Sequence, residues 1–305
     1  MAVRASTLNR RTTDATRRGR ERRTDLLPYA LLLPSIALIV VIILYPLATG
    51  FYYSLNEGSL LRLEGFVGLG NYRDLLTMAD FRHALLFSAL FAACSVAGSY
   101  VMGLGLALLL NQEIPGRAFF RVALLLPWVI PSIVSIASWR WLIADQNGLV
   151  NQALGLVGLG PIFFLSTGDS AMFSVIMIKI WRSFPFMMVS CLAALQSIDR
   201  DMYEAATIDG AGRWQSFRDI TMPQIFGISV VMWILMTIWS VNDFETPWLL
   251  TQGGPSNATE NLIVLAYKYT FTRSDVGIGS AIAVVSMIIL MTLALLLLRK
   301  QRGEE

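Results

Sequence analysis

Six long apolar runs, separated by polar segments, dominate the pattern of this chain. Each run has roughly the 20 apolar residues that a helix needs to cross the hydrocarbon of a membrane. The runs lie at residues 27–54, 84–110, 119–143, 171–196, 226–250 and 276–298. Prolines inside them are Pro34, Pro46, Pro127, Pro131 and Pro185. Because membrane helices tolerate breaks where neighbouring groups satisfy the freed backbone, we expect an all-α membrane protein with six transmembrane helices, some of them bent.

The composition agrees with a membrane protein and leaves little room for enzymatic chemistry. The chain has 305 residues, 55% hydrophobic and only 15% charged, whereas a soluble domain carries about 25% charged residues. Cys94 and Cys191 lie inside apolar runs and are typical of small buried side chains rather than of a disulfide or metal ligands. The sequence has one histidine, His83. We therefore expect no catalytic residues, no metal site and no bound cofactor.

Basic residues are distributed unevenly over the polar segments. Eight arginines lie between Arg4 and Arg23, and three more basic residues follow residue 298. Since basic residues mark the cytoplasmic side, we expect cytoplasmic tails at 1–26 and 299–305 around a six-span domain at 27–298. The first apolar run is too long for the core of a cleavable signal peptide. The predicted location is a membrane, with both tails on its cytoplasmic side.

The segment between the fourth and fifth runs, residues 197–225, is polar and rich in glycine. From Glu204 to Pro223 it predicts a short helix, a turn at Gly210 and a second helix that ends near the proline. Such a segment is too polar for hydrocarbon, so it should project into the cytoplasm as a docking element. The sequence contains no G-x-x-x-x-G-K-[ST] phosphate loop, so this chain is not expected to bind ATP in a loop of that kind.

Ionisable residues inside the fourth and fifth runs are candidates for function because they are costly in a membrane. Lys179 and Arg182 lie three residues apart and so share a helix face. Asp243 and Glu245 lie at the end of the fifth run. Two interpretations stay open: neutralisation of these charges inside the bundle, and a role in a transport pathway.

Several motifs together identify a family. The first group is Tyr203-Glu-Ala-Ala206, Asp209-Gly-Ala211, Phe217, Ile220 and Pro223. The second is Gly68-Leu-Gly-Asn-Tyr72, Trp181-Arg-Ser-Phe-Pro-Phe186 and Leu250-Thr-Gln-Gly-Gly-Pro255. The chain resembles the inner-membrane permease subunits of binding-protein-dependent ABC importers, most closely the maltose-type carbohydrate group. One departure is Met222, where the family usually has leucine.

This resemblance implies a type I ABC importer permease fold and alternating access driven by partner subunits. The expected partners are a second permease, which is a different chain, two cytoplasmic ABC ATPases that bind the ATP, and an extracytoplasmic solute-binding protein. Residues implied in ATPase coupling are Glu204, Ala205, Ala206, Asp209 and Gly210. Residues implied in the substrate pathway are Lys179, Arg182, Ser183, Phe186, Met236, Trp239, Ser240 and Asp243.

Alternatives remain for the cargo and for the class of protein. Lys179 and Arg182 also fit an anionic sugar, and other members of the superfamily import glycerol-phosphate, amino acids or peptides. A membrane-embedded enzyme would need a nucleophile and base, or metal ligands, which His83 alone does not supply. A membrane scaffold would not need ionisable residues at mid-span.

Overall fold

The computed structural model describes residues 27–302. The predicted basic tail at 1–26 and the last three residues of the predicted tail at 299–305 lie outside the described residues. The chain divides between Gly50 and Phe51 into two units. The first contains helix α1 (Leu27–Ile39), a π-helical turn (Val40–Leu44) and the start of helix α2 (Tyr45–Ser54). Pro46 lies just after the π turn and, having no backbone N–H, donates no hydrogen bond to it.

After the end of α2, the second unit contains a small β-hairpin that the hydrophobic pattern did not predict. Strands β1 (Asn56–Gly58) and β2 (Leu63–Phe66) pair antiparallel, with Asn56 opposite Phe66. Helix α3 (Gly70–Thr77) follows. The side-chain amide of Asn71 donates hydrogen bonds to the carbonyls of Ser54 and Asn56, both at 2.9 Å, and so ties α3 to the end of α2.

Four long helices form the body of this unit. They are α4 (Ala79–Asn111), α9 (Gly168–Gln196), α12 (Met222–Val241) and α15 (Val276–Arg302). Small residues let α4 and α9 approach closely: a Cβ at Gly103 would lie 2.6 Å from Cβ of Met187. Between α4 and α12, the hydroxyls of Tyr100 and Ser229 form a buried hydrogen bond of 2.8 Å. Close backbone approach and interhelical hydrogen bonds are the usual means of helix association in membranes.

The third apolar run, 119–143, is not a single straight helix. It forms α5 (Arg117–Ala123), α6 (Leu126–Val129) and α7 (Ser132–Leu142), with a bend of 91° at the break. Pro131 removes a backbone donor and forces the residue before it out of the helical conformation. Together with five helices long and apolar enough to span a membrane, this broken pair accounts for up to six spans.

Shorter helices connect the long ones. They are α8 (Leu149–Leu156), α10 (Arg200–Ile208), α11 (Arg213–Ser216), α13 (Glu245–Thr251) and α14 (Leu262–Tyr267), with π-helical turns at Phe217–Thr221 and Lys268–Thr272. The prediction that the helix after Gly210 ends near Pro223 is wrong. Helical structure continues from Arg213 through the π turn into α12, and Pro223, which lies just after the π turn, does not end it.

Candidate functional site

We call the polar segment at residues 197–225 the polar hairpin. A buried ion pair connects the parts of the chain on either side of it. Nζ of Lys179, on α9, lies 2.8 Å from Oδ2 of Asp243, and the two side chains are 10% and 6% exposed. Asp243 lies in the break between α12 and α13, and its carboxylate also accepts hydrogen bonds from Thr246 in the first turn of α13. The backbone N–H of Thr246 donates to Oδ1 at 3.0 Å, and the Thr246 hydroxyl donates to Oδ2 at 2.7 Å. Both charges of this pair are therefore compensated locally.

Arg182 lies beside this pair but is less fully compensated. Its Nη1 donates to the hydroxyl of Thr246 at 3.1 Å, and its Nη2 lies 3.8 Å from Oε2 of Glu245, whose side chain is 56% exposed. Its Nε is buried and has no hydrogen-bond partner among the described residues. Thr246 thus links Arg182 to Asp243. The sequence analysis missed Thr246, and its position just after a polar break was the only signal for it.

Three aromatic rings, one each from α6, α9 and α12, form a patch. Phe186 and Trp239 contact each other edge to face, with ring centroids 5.0 Å apart, and Trp128 of α6 lies 6.3 Å from Phe186. Trp128 and Trp239 remain 55% and 45% exposed. We call these three residues the aromatic patch. Flat apolar ring faces of this kind suit the apolar faces of sugar rings. Trp128 was not predicted, because apolar periodicity does not distinguish an aromatic residue in the pathway from one in the core.

The remaining residues of the predicted pathway are more deeply placed. Ser183 and Met236 are buried, and Ser240 is fully buried with a hydroxyl that has no hydrogen-bond partner among the described residues. Met236 belongs to the core cluster that also contains Met187 and Tyr100. The structure therefore brings Lys179 to Asp243 and Phe186 to Trp239, whereas Met236 and Ser240 line no open surface of this chain. The role of all eight in transport stays a prediction.

The polar hairpin has the predicted turn after its first helix. The carboxylate of Asp199 accepts from the backbone N–H of Asp201 at the start of α10, which is a common way to begin a helix. Gly210 has a φ of 82°, the left-handed conformation that glycine favours. A hydrogen bond of 2.9 Å between the hydroxyls of Tyr203 and Thr221 ties α10 to the base of α12. Through this bond the hairpin is connected to a long span.

The hairpin exposes both the predicted coupling residues and two large apolar side chains. Glu204, Ala205, Asp209 and Gly210 are exposed, and Ala206 is half-buried. Beside them, Ile208 is 86% exposed and Trp214 is 73% exposed. Exposed apolar side chains within a polar segment mark an interaction surface. The sequence analysis missed Ile208 and Trp214, although an apolar residue in so polar a segment was a usable signal.

Known proteins with similar sequences are transport permeases. The chain is 34% identical over 277 residues to the trehalose/maltose transport system permease protein of Thermococcus litoralis, covering 90% of this chain and 94% of that protein. It is also 34% identical over 283 residues to the sulfoquinovosyl glycerol transport system permease protein of Agrobacterium fabrum, covering 92% of each chain. The sequence similarity therefore extends over nearly the whole of both relatives.

Among solved structures, a chain of a bacterial ABC transporter involved in the import of the acidic polysaccharide alginate has the same fold. The TM-score is 0.82 at 23% identity, over 94% of this chain and 99% of that chain. Residues 99–301 match the family described as binding-protein-dependent transport system inner membrane component. The chain belongs to this family: it is a transport permease subunit of an ABC importer, with the type I permease fold that the sequence resemblance predicts.

Proposed function

We propose that this chain forms half of the translocation pathway of an ATP-driven sugar importer and couples to the ATPase through residues 204–223. The observation that carries this proposal is one continuous helical run. It begins at Arg213 in the hairpin and ends at Val241, directly before Asp243 and the break between α12 and α13. Movement of the hairpin would therefore reach the aromatic patch and the ion pair without an intervening loop.

The partners in this proposal follow from what the chain lacks and what it exposes. Its sequence has no phosphate-binding loop, so two ABC ATPase subunits would bind the ATP. These subunits would also contact the exposed hairpin. A second permease would supply the other half of the pathway, and an extracytoplasmic binding protein would deliver the sugar. The hairpin and both termini would then face the cytoplasm of a bacterial cell, as the distribution of basic residues predicts.

A carbohydrate cargo is supported by the names of the relatives and by the aromatic patch. The relatives described above carry trehalose/maltose and sulfoquinovosyl glycerol in their names. In this chain Lys179 is compensated by Asp243 at 2.8 Å, which favours an uncharged sugar. Arg182 is the group that favours the second candidate, an anionic sugar, because its Nε has no hydrogen-bond partner among the described residues.

Uptake by the reconstituted importer tests the pathway. Trp239→Ala should raise the KM for the transported sugar roughly tenfold, since loss of an aromatic contact is worth about 0.5–1.5 kcal/mol beyond its buried area. Trp141→Ala is the matched control, because Trp141 is 64% exposed on α7 and is outside the aromatic patch. Equal KM values for the two variants would remove Trp239 from the pathway. Competition by neutral and anionic sugars, repeated with Arg182→Gln, then separates the two cargo classes.

ATPase assays test the coupling. Replacing Ile208 and Trp214 together by alanine should abolish the stimulation of ATP hydrolysis by the loaded binding protein, because an interface loses its apolar anchors. Leu86→Ala, which truncates a side chain 71% exposed on α4, is the control. Normal stimulation in the double variant would contradict the proposed contact between the ATPase and the hairpin.

A further inference from the structure

A polar cavity of about 520 Å³ lies at the base of the hairpin. The end of α4 and the loop that follows it form one wall, and the end of α9 and the start of α10 form the other. Its volume lies within the range of small-molecule sites, about 300–1,000 Å³. The polar side chains that line it are Asn111, Glu113, Arg117, Gln196, Arg200 and Tyr203.

The cavity has an excess of positive charge. Arg117 and Arg200 line it against one carboxylate, that of Glu113, which is exposed. Within the part of the chain that the structure describes, neither arginine lies within ion-pair distance of a carboxylate. Arg200 is exposed and Arg117 is half-buried, but Nε of Arg117 is buried and has no hydrogen-bond partner among the described residues. A buried N–H that lacks an acceptor is costly, so this wall of the cavity favours an anion.

We propose that this cavity binds a phosphate group, either that of an anionic phospholipid in the adjoining leaflet or that of a soluble phosphate ester. Guanidinium groups present a fork of donors that matches phosphate oxygens, and the amides of Asn111 and Gln196 add further donors. Arg200 and Tyr203 belong to α10, the first helix of the hairpin. A bound phosphate would therefore hold α10 against the end of α4. It would thereby restrain the polar hairpin, to which the ATPase binds in the proposed function. This site is separate from the sugar pathway.

The experiment compares the purified importer complex with its Arg117→Gln/Arg200→Gln variant in two arms. In the first, the complex is placed in nanodiscs of phosphatidylcholine with or without phosphatidylglycerol, and native mass spectrometry counts retained phosphatidylglycerol. In the second, inorganic phosphate is titrated into the phosphatidylcholine nanodiscs, and the melting midpoint is recorded. Loss of two charge-assisted contacts should weaken binding by about a hundredfold.

The control variant is Arg218→Gln, because Arg218 lies on the hairpin, is 78% exposed and is 3.8 Å from Asp219. A loss confined to the first arm identifies a lipid headgroup, and a loss confined to the second identifies a soluble phosphate. Equal behaviour of wild type, Arg218→Gln and the double variant in both arms would overturn the proposal. If the double variant does not assemble, the single variant Arg200→Gln replaces it, because Arg200 is exposed and its loss leaves the packing of α4 and α9 intact; phosphate binding equal to wild type there would also overturn the proposal.

Discussion

Removing the charge of Asp243 tests whether the ion pair between α9 and the end of α12 stabilises the bundle. Nζ of Lys179 lies 2.8 Å from Oδ2 of Asp243. The carboxylate also accepts two hydrogen bonds from Thr246, and it is almost completely buried. Asp243→Asn keeps its shape but leaves the Lys179 ammonium without a counter-charge. Loss of one partner from a buried pair costs about 3–5 kcal/mol. For a chain of this size that corresponds to a fall in melting midpoint on the order of 10 °C.

The assay is a double-mutant cycle on the purified importer, read by its melting midpoint. Lys179→Met should be as harmful as Asp243→Asn, because it leaves the opposite charge unpaired. The combination of both should lose much less than either single variant, since no unpaired charge remains. Asp219→Asn, which removes half of an exposed pair with Arg218, should leave the midpoint unchanged. Additive losses in the double variant would refute the reasoning.

Two further predictions concern packing and a second buried charge. Gly103→Ala should lower the melting midpoint by several degrees, because the new Cβ would lie 2.6 Å from Met187, whereas Gly105→Ala, with nothing within 4 Å, should be silent. Lys268→Met should destabilise the importer by about 3 kcal/mol, since it leaves the Glu260 carboxylate, 1% exposed, without its partner. Adding Glu260→Gln should recover most of that loss, and a failure to recover would show that the pair does not act through its charges.

The helical spans and the hairpin could be predicted because they depend on local sequence. Hydropathy located most bounds of the long helices to within about five residues, but the fifth run, 226–250, extends past the end of α12 at Val241 because α13 is apolar as well. Gly210 marked the turn through its own conformational freedom. The break in the third span could be predicted from the sequence only in part. Pro127 and Pro131 indicate that a helix is interrupted there, but the angle of 91° depends on what the two pieces pack against.

The arrangement of the site could not be predicted to the same depth. Lys179 and Asp243 were both visible in the sequence, but their pairing depends on the rotation of two helices about their own axes. Thr246 connects Arg182 to Asp243, although Arg182 and Thr246 lie 64 residues apart in the sequence. Trp128 reaches Phe186 only because the chain bends beside it. Each of these contacts is a product of tertiary packing.

The helical run from Arg213 to Val241 has a mechanical consequence. At 1.5 Å per residue it is about 40 Å long, and a helix of this kind resists compression. Midway along it, Ser229 is held by Tyr100 of α4 through a buried hydrogen bond. A rod held near its middle can pivot there. If the hairpin ends of two such rods were drawn together, their far ends would move apart by a similar distance. Opening on one side of the membrane would then require closing on the other.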